Sequence, residues 1–539
     1  MNKKLVEKYF ITTLLSFSVL VSPSLVAKEK GNYLHQKIQK MELENNKFEE
    51  FNLFKQVSDS KDAVIELQQM SNELLAIQRE ESQSNSLEEK SSNYGNTIDE
   101  LSNTPKGKMV NSPLAGAEFL TLNKVGLKNL QKRAPKALIM SVPFKHQTNK
   151  GLTKDVKIKL FKRKLYTKDA EFVFQDKQTG TSRKVKAKNL DLGVHYHGVV
   201  EGESQSIVAL SIFKDSIEGR IHSTNIGDLN LGKIKDKKSR LKRAKNKLAD
   251  SHIVYRVNNL DEKRQKHNCK MDGHDIDNFL SLRQTTIDGQ LSKPELQKDE
   301  FLSAMNRAPA VSASALYDYY FTTYTVISGD LASDIGGANI ANWMGSVLNQ
   351  VAAVYNVDGI LLYSEGWKSY GSSPVYDGQK GAYLLEQFAY YDEASVKNSD
   401  IGMLLTSTKT SANKSGGLAY KIGGICSYNV VDGLSYSPMN VAYSYFPTYS
   451  WTVDVYAHEA GHSLGSPHTH NCSWNGNNTA IDSCSGFTEG TCPLPGTPAW
   501  GQGTVMSYCS GSVGKNPALG FANQPAAKIA NHVWYCADR

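Results

Sequence analysis

The chain has 539 residues, with 62 Lys+Arg against 54 Asp+Glu and a formal net charge of +8. A hydrophobic fraction of 40% with 22% charged residues excludes a collagen, a coiled coil and a wholly disordered chain. The charge is uneven: residues 308–539 hold 9 Lys+Arg and 16 Asp+Glu, a net −7, which leaves 53 and 38, a net +15, in residues 1–307. The sequence is thus a cationic half followed by an anionic half, and its total charge does not by itself predict a nucleic-acid partner.

Residues 1–27 have the features of a secretory signal peptide. A basic start (Lys3, Lys4 and Lys8) precedes an uncharged, mostly apolar run over residues 9–21, and small residues follow it. The run is shorter than the roughly 20 residues of a transmembrane helix, although an uncleaved anchor is the alternative. We therefore expect a secreted, extracellular protein without a membrane span after signal cleavage, in which disulfides can form.

The rest of the cationic half divides into three segments. Residues 28–109 are polar and predict a partly helical or disordered segment, whereas β-rich runs separated by short turns over 110–232 predict a mostly antiparallel β domain. Residues 233–307 predict a linker, which begins with nine bases and one acid over 233–247. A processing-protease target is the alternative for this basic run, and the absence of aromatic residues disfavours nucleic-acid binding.

The anionic half, residues 308–539, alternates strand and helix patterns, which is typical of an α/β layer. The predicted elements are strands at 315–327, 358–363, 401–406 and 417–420 and helices at 334–355 and 449–464. The last helix ends at Gly465, because glycine accepts a positive φ and Pro467 cannot continue a helix.

This last helix carries the most informative motif, H-E-x-x-H-x-x-G-x-x-H, over residues 458–468. His458 and His462 are one helical turn apart on the same face, and the turn after Gly465 brings His468 towards them. Three imidazoles with an open fourth position are typical of a catalytic zinc site. The sequence then predicts that Glu459 is the general base, which takes a proton from a zinc-activated water.

The motif and Gly503-Thr-Val-Met506 resemble the zinc motif and Met-turn of the metzincin peptidases. Gly416, Gly417, Leu418 and Ala419 are similar to the substrate-binding edge strand of the reprolysin (adamalysin) family, secreted bacterial type. The resemblance implies an α/β catalytic domain with a mixed, mostly parallel twisted sheet, long helices and a zinc cleft, preceded by a β-rich propeptide domain. It also implies that Met506 forms a hydrophobic floor beneath the imidazoles.

The chain departs from many reprolysins at Thr469, where an Asp is common, and His470 follows as an alternative third ligand. The resemblance implies a disulfide between Cys426 and Cys536. The remaining four cysteines of the anionic half allow three pairings, between which the sequence does not choose. They are Cys472, Cys484, Cys492 and Cys509.

Cys269 stands alone in the cationic half and precedes the catalytic segment. A thiolate is a strong zinc ligand, so we expect Cys269 to block the zinc in a latent form until the pro-region is removed. An idle thiol or an intermolecular disulfide is the alternative. The segment around His195 and His197 is similar to reprolysin propeptides, and without a third ligand nearby these histidines predict no second metal site.

These observations predict a secreted zinc endopeptidase made as a zymogen, with one catalytic Zn²⁺, protein or peptide substrates and its own propeptide as intramolecular inhibitor. Calcium is possible by family analogy, but no acidic loop supports it. The main alternative is an adhesion or binding protein on a protease fold with little turnover. Another zinc hydrolase, such as a deacetylase, is a further alternative. The intact ligands and Glu459 disfavour the binding protein, and the edge strand and pro-region disfavour the other hydrolase.

Overall fold

A computed structural model of the chain provides the architecture. It describes residues 31–57, 114, 116–148, 151–175, 180–234, 251–257, 319–371, 373–376, 381–396, 398–407, 416–427, 429–439 and 449–537. The predicted signal peptide, most of the basic run, Cys269 and the region in which we expect maturation (292–313) lie outside these residues. Within them, no helix is both long and apolar enough to cross a bilayer.

The cationic half builds a ten-stranded sheet in the order β1-β4-β5-β8-β9-β10-β11-β12-β3-β2. Every neighbouring pair is antiparallel except β1 and β4, so the prediction of mostly antiparallel pairing agrees with this sheet. Its strands are β1 (Glu49–Phe51), β2 (Phe54–Gln56), β3 (Glu118–Leu122), β4 (Ala137–Thr148), β5 (Gly151–Arg163), β8 (Val194–Val200), β9 (Ser206–Ile212), β10 (Ile217–Ser223), β11 (Gly227–Lys233) and β12 (His252–Arg256).

Two helices accompany this sheet. Helix α1 (Tyr33–Leu43) begins at Asn32, whose side-chain oxygen accepts from the backbone N–H of His35 and so caps the helix. Helix α2 (Lys124–Arg133) buries Leu127 and Leu130 in the apolar cluster of the sheet.

Five strands of the anionic half and two of the cationic half build a mixed seven-stranded sheet in the order β16-β17-β15-β13-β14-β6-β7. The four inner pairings are parallel and the two outer pairings are antiparallel, so the sheet is mixed and mostly parallel. Its strands are β6 (Tyr166–Gln175), β7 (Ser182–Val185), β13 (Tyr319–Ile327), β14 (Ile360–Ser369), β15 (Ile401–Ser407), β16 (Leu418–Ala419) and β17 (Leu434–Met439). Its helices are α3 (Gly329–Ile335), α4 (Ile340–Asn356), α5 (Gly381–Val396), α6 (Ser450–Ser463) and α7 (Asn523–Ala537).

The hairpin β6–β7 differs from the sequence prediction, which placed residues 110–232 in one β domain. This hairpin is not part of the first sheet. It extends the second sheet, because β6 pairs parallel with β14. Phe172 and Phe174 lie on the same face of β6 and contact Trp367 edge-on, with ring centroids 5.4 and 5.1 Å apart. Burial of the Trp367 indole therefore favours pairing with a strand almost 200 residues away in sequence.

Helix α4 lies between the two sheets and defines the layering of the molecule. It packs on β9 and β10 of the first sheet and on β14 of the second, and all of its residues except Asn342 are buried. Its contact with the first sheet combines apolar packing on β8 and β9 with two polar pairs: Asn349 Nδ2 donates to Leu210 O (3.1 Å), and Ser346 Oγ lies 3.4 Å from Glu218 Oε2. The fold is thus sheet, helix, sheet, with the predicted histidine motif on α6 in the second part.

Candidate metal centre

Helix α6 carries His458, Glu459 and His462, all with no exposed surface. The helix ends at Gly465, whose φ is +100°. Residues with a Cβ rarely adopt a positive φ, so glycine is favoured at this turn. The Gly465 N–H donates to His462 O (2.8 Å) and the Ser466 N–H donates to Gly461 O (3.0 Å), which satisfies carbonyls at the helix end.

The turn after Gly465 brings His468 to the two helical imidazoles. The three Nε2 atoms are 3.1 to 3.2 Å from one another. Each Nδ1 atom faces an oxygen: Val505 O at 2.8 Å from His458, Ser466 O at 2.7 Å from His462, and a carboxylate at 2.6 Å from His468.

These contacts assign the tautomers of the three rings. An oxygen without a proton can only accept, so each Nδ1 carries the hydrogen and each Nε2 presents a lone pair. Three lone pairs converging in a buried site repel one another unless a cation lies between them. A tetrahedral zinc with bonds of about 2.0–2.1 Å spaces its nitrogens about 3.3–3.4 Å apart, so the donor set fits this ion.

Burial favours the neutral form of two of these imidazoles, those of His462 and His468. It lowers the pKa of His462 to about 3, further lowered by the nearby His468, and burial also lowers the pKa of His468. Neutral imidazole is the form that binds a metal, so the site is ready for a cation at neutral pH.

Glu459 lies beside the edge strand that the sequence predicts. Strand β16 is the end strand of the second sheet and pairs antiparallel with β17 through Leu418 and Ala419. A Cβ added at Gly417 would lie 2.6 Å from Glu459 Cδ, so only glycine fits between this strand and the carboxyl group. The structure therefore brings the predicted base and the predicted substrate strand into contact.

Met506 lies beneath α6 with no exposed surface. A Cβ added at Gly461 would lie 2.8 Å from Met506 Sδ, so the thioether packs directly on the helix between the two histidines. Met506 O also accepts from the Thr469 N–H (3.2 Å), which connects this turn to the residue after His468.

The reprolysin model of metallo-peptidase family M12 matches residues 318–518, the segment that contains the histidine cluster. Residues 318–518 are a metallo-peptidase domain of family M12. The family makes this domain a metal-dependent peptide hydrolase, usually with zinc. A comparison with curated proteins found no significant match.

Two solved structures resemble the chain only weakly. Metalloproteinase-II from Bacteroides fragilis is 13% identical over 65% of this chain and 87% of its own, with a TM-score of 0.28. A chaperone–substrate complex is 15% identical over 40% of this chain and 35% of its own, with a TM-score of 0.25. At these scores, neither adds to the family assignment.

His470 does not join the three converging nitrogens of the M12 domain. Its ring stacks on the His468 ring, with centroids 4.8 Å apart and planes 10° apart, and its Nε2 lies 3.4 Å from Glu489 Oε1. The structure thus groups His468, which has the family spacing, with His458 and His462. The His470 ring instead stacks on the outer side of this group, against the His468 ring.

Glu489 is the site residue that the sequence analysis missed. It supplies the carboxylate at His468 Nδ1, and although burial alone would raise its pKa, hydrogen bonds from His468 and His470 hold that pKa well below its usual range. Glu489 lies 21 residues after His468, so no local spacing indicates it. The available signal was its position as one of two acids, with Asp482, between Cys472 and Cys509.

The structure selects one of the three possible pairings of the four central cysteines: Cys472 with Cys492 and Cys484 with Cys509. Cys536 is also disulfide-bonded, and helix α7, on which it lies, contacts residues 424–426. The pairing of Cys536 with Cys426 stays a prediction.

His195 and His197 each have a polar group within hydrogen-bonding distance. His195 Nδ1 lies 3.0 Å from Ser211 Oγ, and His197 Nε2 lies 3.0 Å from Asn349 O. Both rings are buried between the first sheet and α4.

Proposed function

We propose that the chain is a secreted zinc endopeptidase made as a latent zymogen. The observation that carries this proposal is the convergence of three buried Nε2 lone pairs whose Nδ1 atoms all face acceptors. The M12 match supplies the reaction class, hydrolysis of peptide bonds.

His458, His462 and His468 would hold one zinc ion. When bound, the ion supplies a Lewis acid that polarises the scissile carbonyl and lowers the pKa of a water. Glu459, adjacent in sequence to the first ligand, takes the proton from the attacking water and passes it to the leaving amine nitrogen. Burial of the carboxyl group excludes competing solvent from this transfer.

An extended substrate would add to β16 as a further strand, because β16 ends the sheet. Main-chain hydrogen bonds would then bind the substrate peptide largely independently of its side-chain sequence. The close approach of Gly417 to Glu459 supports this placement, since it sets the peptide backbone beside the base.

The latent form that we propose would be held by the contact between the ten-stranded sheet and the M12 domain, which combines polar pairs with apolar packing from β8 and β9. Arg220 Nη1 lies 2.8 Å from Asp454 Oδ1, Ser450 Oγ donates to Asp228 Oδ2 (2.9 Å), and Tyr449 donates to Glu218. We propose that Cys269 supplies the zinc-blocking thiolate of the latent form.

Activity of the processed enzyme tests the reaction. Purified enzyme should cleave unfolded protein, lose that activity to a chelator and regain it with Zn²⁺. The Glu459→Gln variant should keep its zinc but lose turnover by about 10²–10⁴-fold, the usual contribution of a general base. Glu393→Gln, an exposed glutamate on α5, is the matched control and should behave as wild type. A fully active Glu459→Gln variant would refute the assigned base.

Latency has its own test. N-terminal sequencing of the active secreted form should show that Cys269 has been removed, and Cys269→Ser in the full chain should release activity without cleavage. Persistent latency of that variant would show that another group blocks the site.

A further inference from the structure

The third predicted ligand differs from the other two in what orients it. His458 and His462 donate from Nδ1 to neutral backbone carbonyls, whereas His468 Nδ1 lies 2.6 Å from Glu489 Oε1. A charged acceptor forms a shorter and stronger hydrogen bond than a neutral one. The carboxylate therefore holds the His468 ring in one orientation and increases the electron density at Nε2.

The loop that carries Glu489 is anchored to the chain on both sides of this contact. The Glu489 N–H donates to His470 O (3.0 Å), and the Cys472 N–H donates to Glu489 O (2.9 Å). Asn471 Nδ2 donates to the second carboxylate oxygen, Oε2, at 3.2 Å. The Cys472–Cys492 disulfide closes the loop around the carboxylate.

The backbone of His468 is also fixed, so the histidine and the carboxylate meet as two prepositioned groups. Trp474 Nε1 donates to His468 O (2.7 Å), and Trp474 is itself buried. Gly490 has a φ of +106°, and a Cβ there would lie 3.1 Å from Cys472 Cβ, so the residue after the carboxylate fits tightly against the disulfide.

We propose that Glu489 is a positioning residue that raises the zinc affinity of the site through His468, and that the Cys472–Cys492 disulfide holds it there. This inference rests on the proposed zinc site and adds to it a determinant outside the histidine motif. Carboxylates that orient metal-binding histidines in this way contribute about 10–100-fold to metal affinity or activity.

The test is the zinc dissociation constant of the full chain, measured by competition with a chromophoric chelator. Glu489→Ala should weaken zinc binding about 10–100-fold. Glu489→Gln should weaken it less, because the amide oxygen can still accept from Nδ1 but carries no charge. Asp482→Asn is the matched control: it removes a carboxylate from the same loop that accepts from the Cys484 N–H instead, and it should leave the affinity unchanged.

Two further measurements separate positioning from a general effect on folding. The visible spectrum of the Co²⁺ form should change in Glu489→Ala, because the third imidazole is no longer held in one orientation, and should not change in Asp482→Asn. Replacing Cys472 and Cys492 together by Ser should weaken zinc binding in the same direction as Glu489→Ala.

The outcomes distinguish this inference from the proposed function. A wild-type chain that binds no zinc would overturn both. Normal zinc binding by wild type and equally tight binding by Glu489→Ala would overturn only the role of Glu489, and the isosteric Gln variant keeps the test decisive if the Ala variant does not fold.

Discussion

Two glycines position the side chains of the candidate site at the scale of single residues. Gly417 allows the edge strand to approach the Glu459 carboxyl group, and Gly461 allows α6 to rest on Met506. Neither has a positive φ, so what requires glycine is the missing side chain and not an unusual backbone. The motif residues can therefore occupy these positions only because the two neighbouring glycines have no side chain.

We predict that Gly417→Ala impairs catalysis without removing the metal. The added methyl would lie 2.6 Å from Glu459 Cδ, so the carboxyl group must shift, and a shift of about 1 Å can reduce the rate about 10²-fold. The turnover number and the zinc content of the processed enzyme measure the two effects. Gly496→Ala, at an exposed position with no atom within 4 Å of the new Cβ, is the control. An unimpaired Gly417→Ala enzyme would contradict the close approach.

The sequence predicts the three histidines because their spacing is local: two are related by one helical turn and the third follows a glycine turn. Glu489 could not be predicted in the same way, since a disulfide-closed loop of unknown pairing brings it back to His468. Tertiary contacts of this kind leave no periodic signal in a single sequence.

At the scale of elements, helix α6 is fixed at both ends by different parts of the chain. Its last turn packs under β17, where Ser435 Oγ lies 2.7 Å from Ser463 Oγ. Its first turn meets the ten-stranded sheet through a buried ion cluster: Arg220 binds both carboxylate oxygens of Asp228 (2.7 Å each) and also Asp454. The helix that presents the histidines is therefore held by both halves of the molecule.

We predict that Arg220→Ala destabilises the full chain strongly. The guanidinium is almost fully buried, so its removal leaves the buried Asp228 without a counter-charge, which costs about 3–5 kcal/mol. The shift of the unfolding midpoint in urea measures this effect. Arg133→Ala, which removes a half-exposed ion pair with Glu49, should cost only about 0–1 kcal/mol. Equal shifts for the two variants would show that the cluster does not stabilise the chain.

The sequence predicts helices and strands that have a continuous apolar pattern of their own. It does not predict elements whose place in the fold depends on a partner distant in sequence. Helices α4 and α6 and strands β13 and β15 follow from apolar runs of ordinary length. Helix α5 and strand β17 were missed. The sequence pattern placed the hairpin β6–β7 in the β domain of residues 110–232 and did not predict its pairing with β14, because that strand lies far downstream in the sequence.

At the scale of the whole molecule, helix α4 lies between the two sheets, and two buried histidines, His195 and His197, lie where it meets the first sheet. His197 on β8 contacts both Asn349 and Asn356 of α4, with ring nitrogens 3.0 and 3.1 Å from their side chains. Burial lowers the pKa of His197 to about 3, and the nearby Arg163 adds to this, while burial lowers that of His195 to about 4. The junction therefore requires neutral imidazoles.

We predict that acid lowers the free energy of unfolding of the full chain. Between pH 6.5 and the lowered pKa values of 3 to 4, the unfolded chain binds more protons than the folded one, so the free energy of unfolding falls as pH falls through this window. Each such histidine contributes a slope of up to about 1.4 kcal/mol per pH unit. Urea unfolding between pH 7 and 4 measures it, and His197→Asn should reduce the slope. An unchanged slope in that variant would exclude His197 as a source.

The position of α4 between the sheets has a consequence for the order in which the molecule is made. The strands of the ten-stranded sheet lie between residues 49 and 256, so the ribosome completes them before it reaches α4 at residue 340. The face that will accept Ser346, Asn349 and Asn356 can thus exist while the helix is still being synthesised. The second half of the chain then folds against a preformed surface of the first half, which already carries the hydrogen-bonding partners of α4.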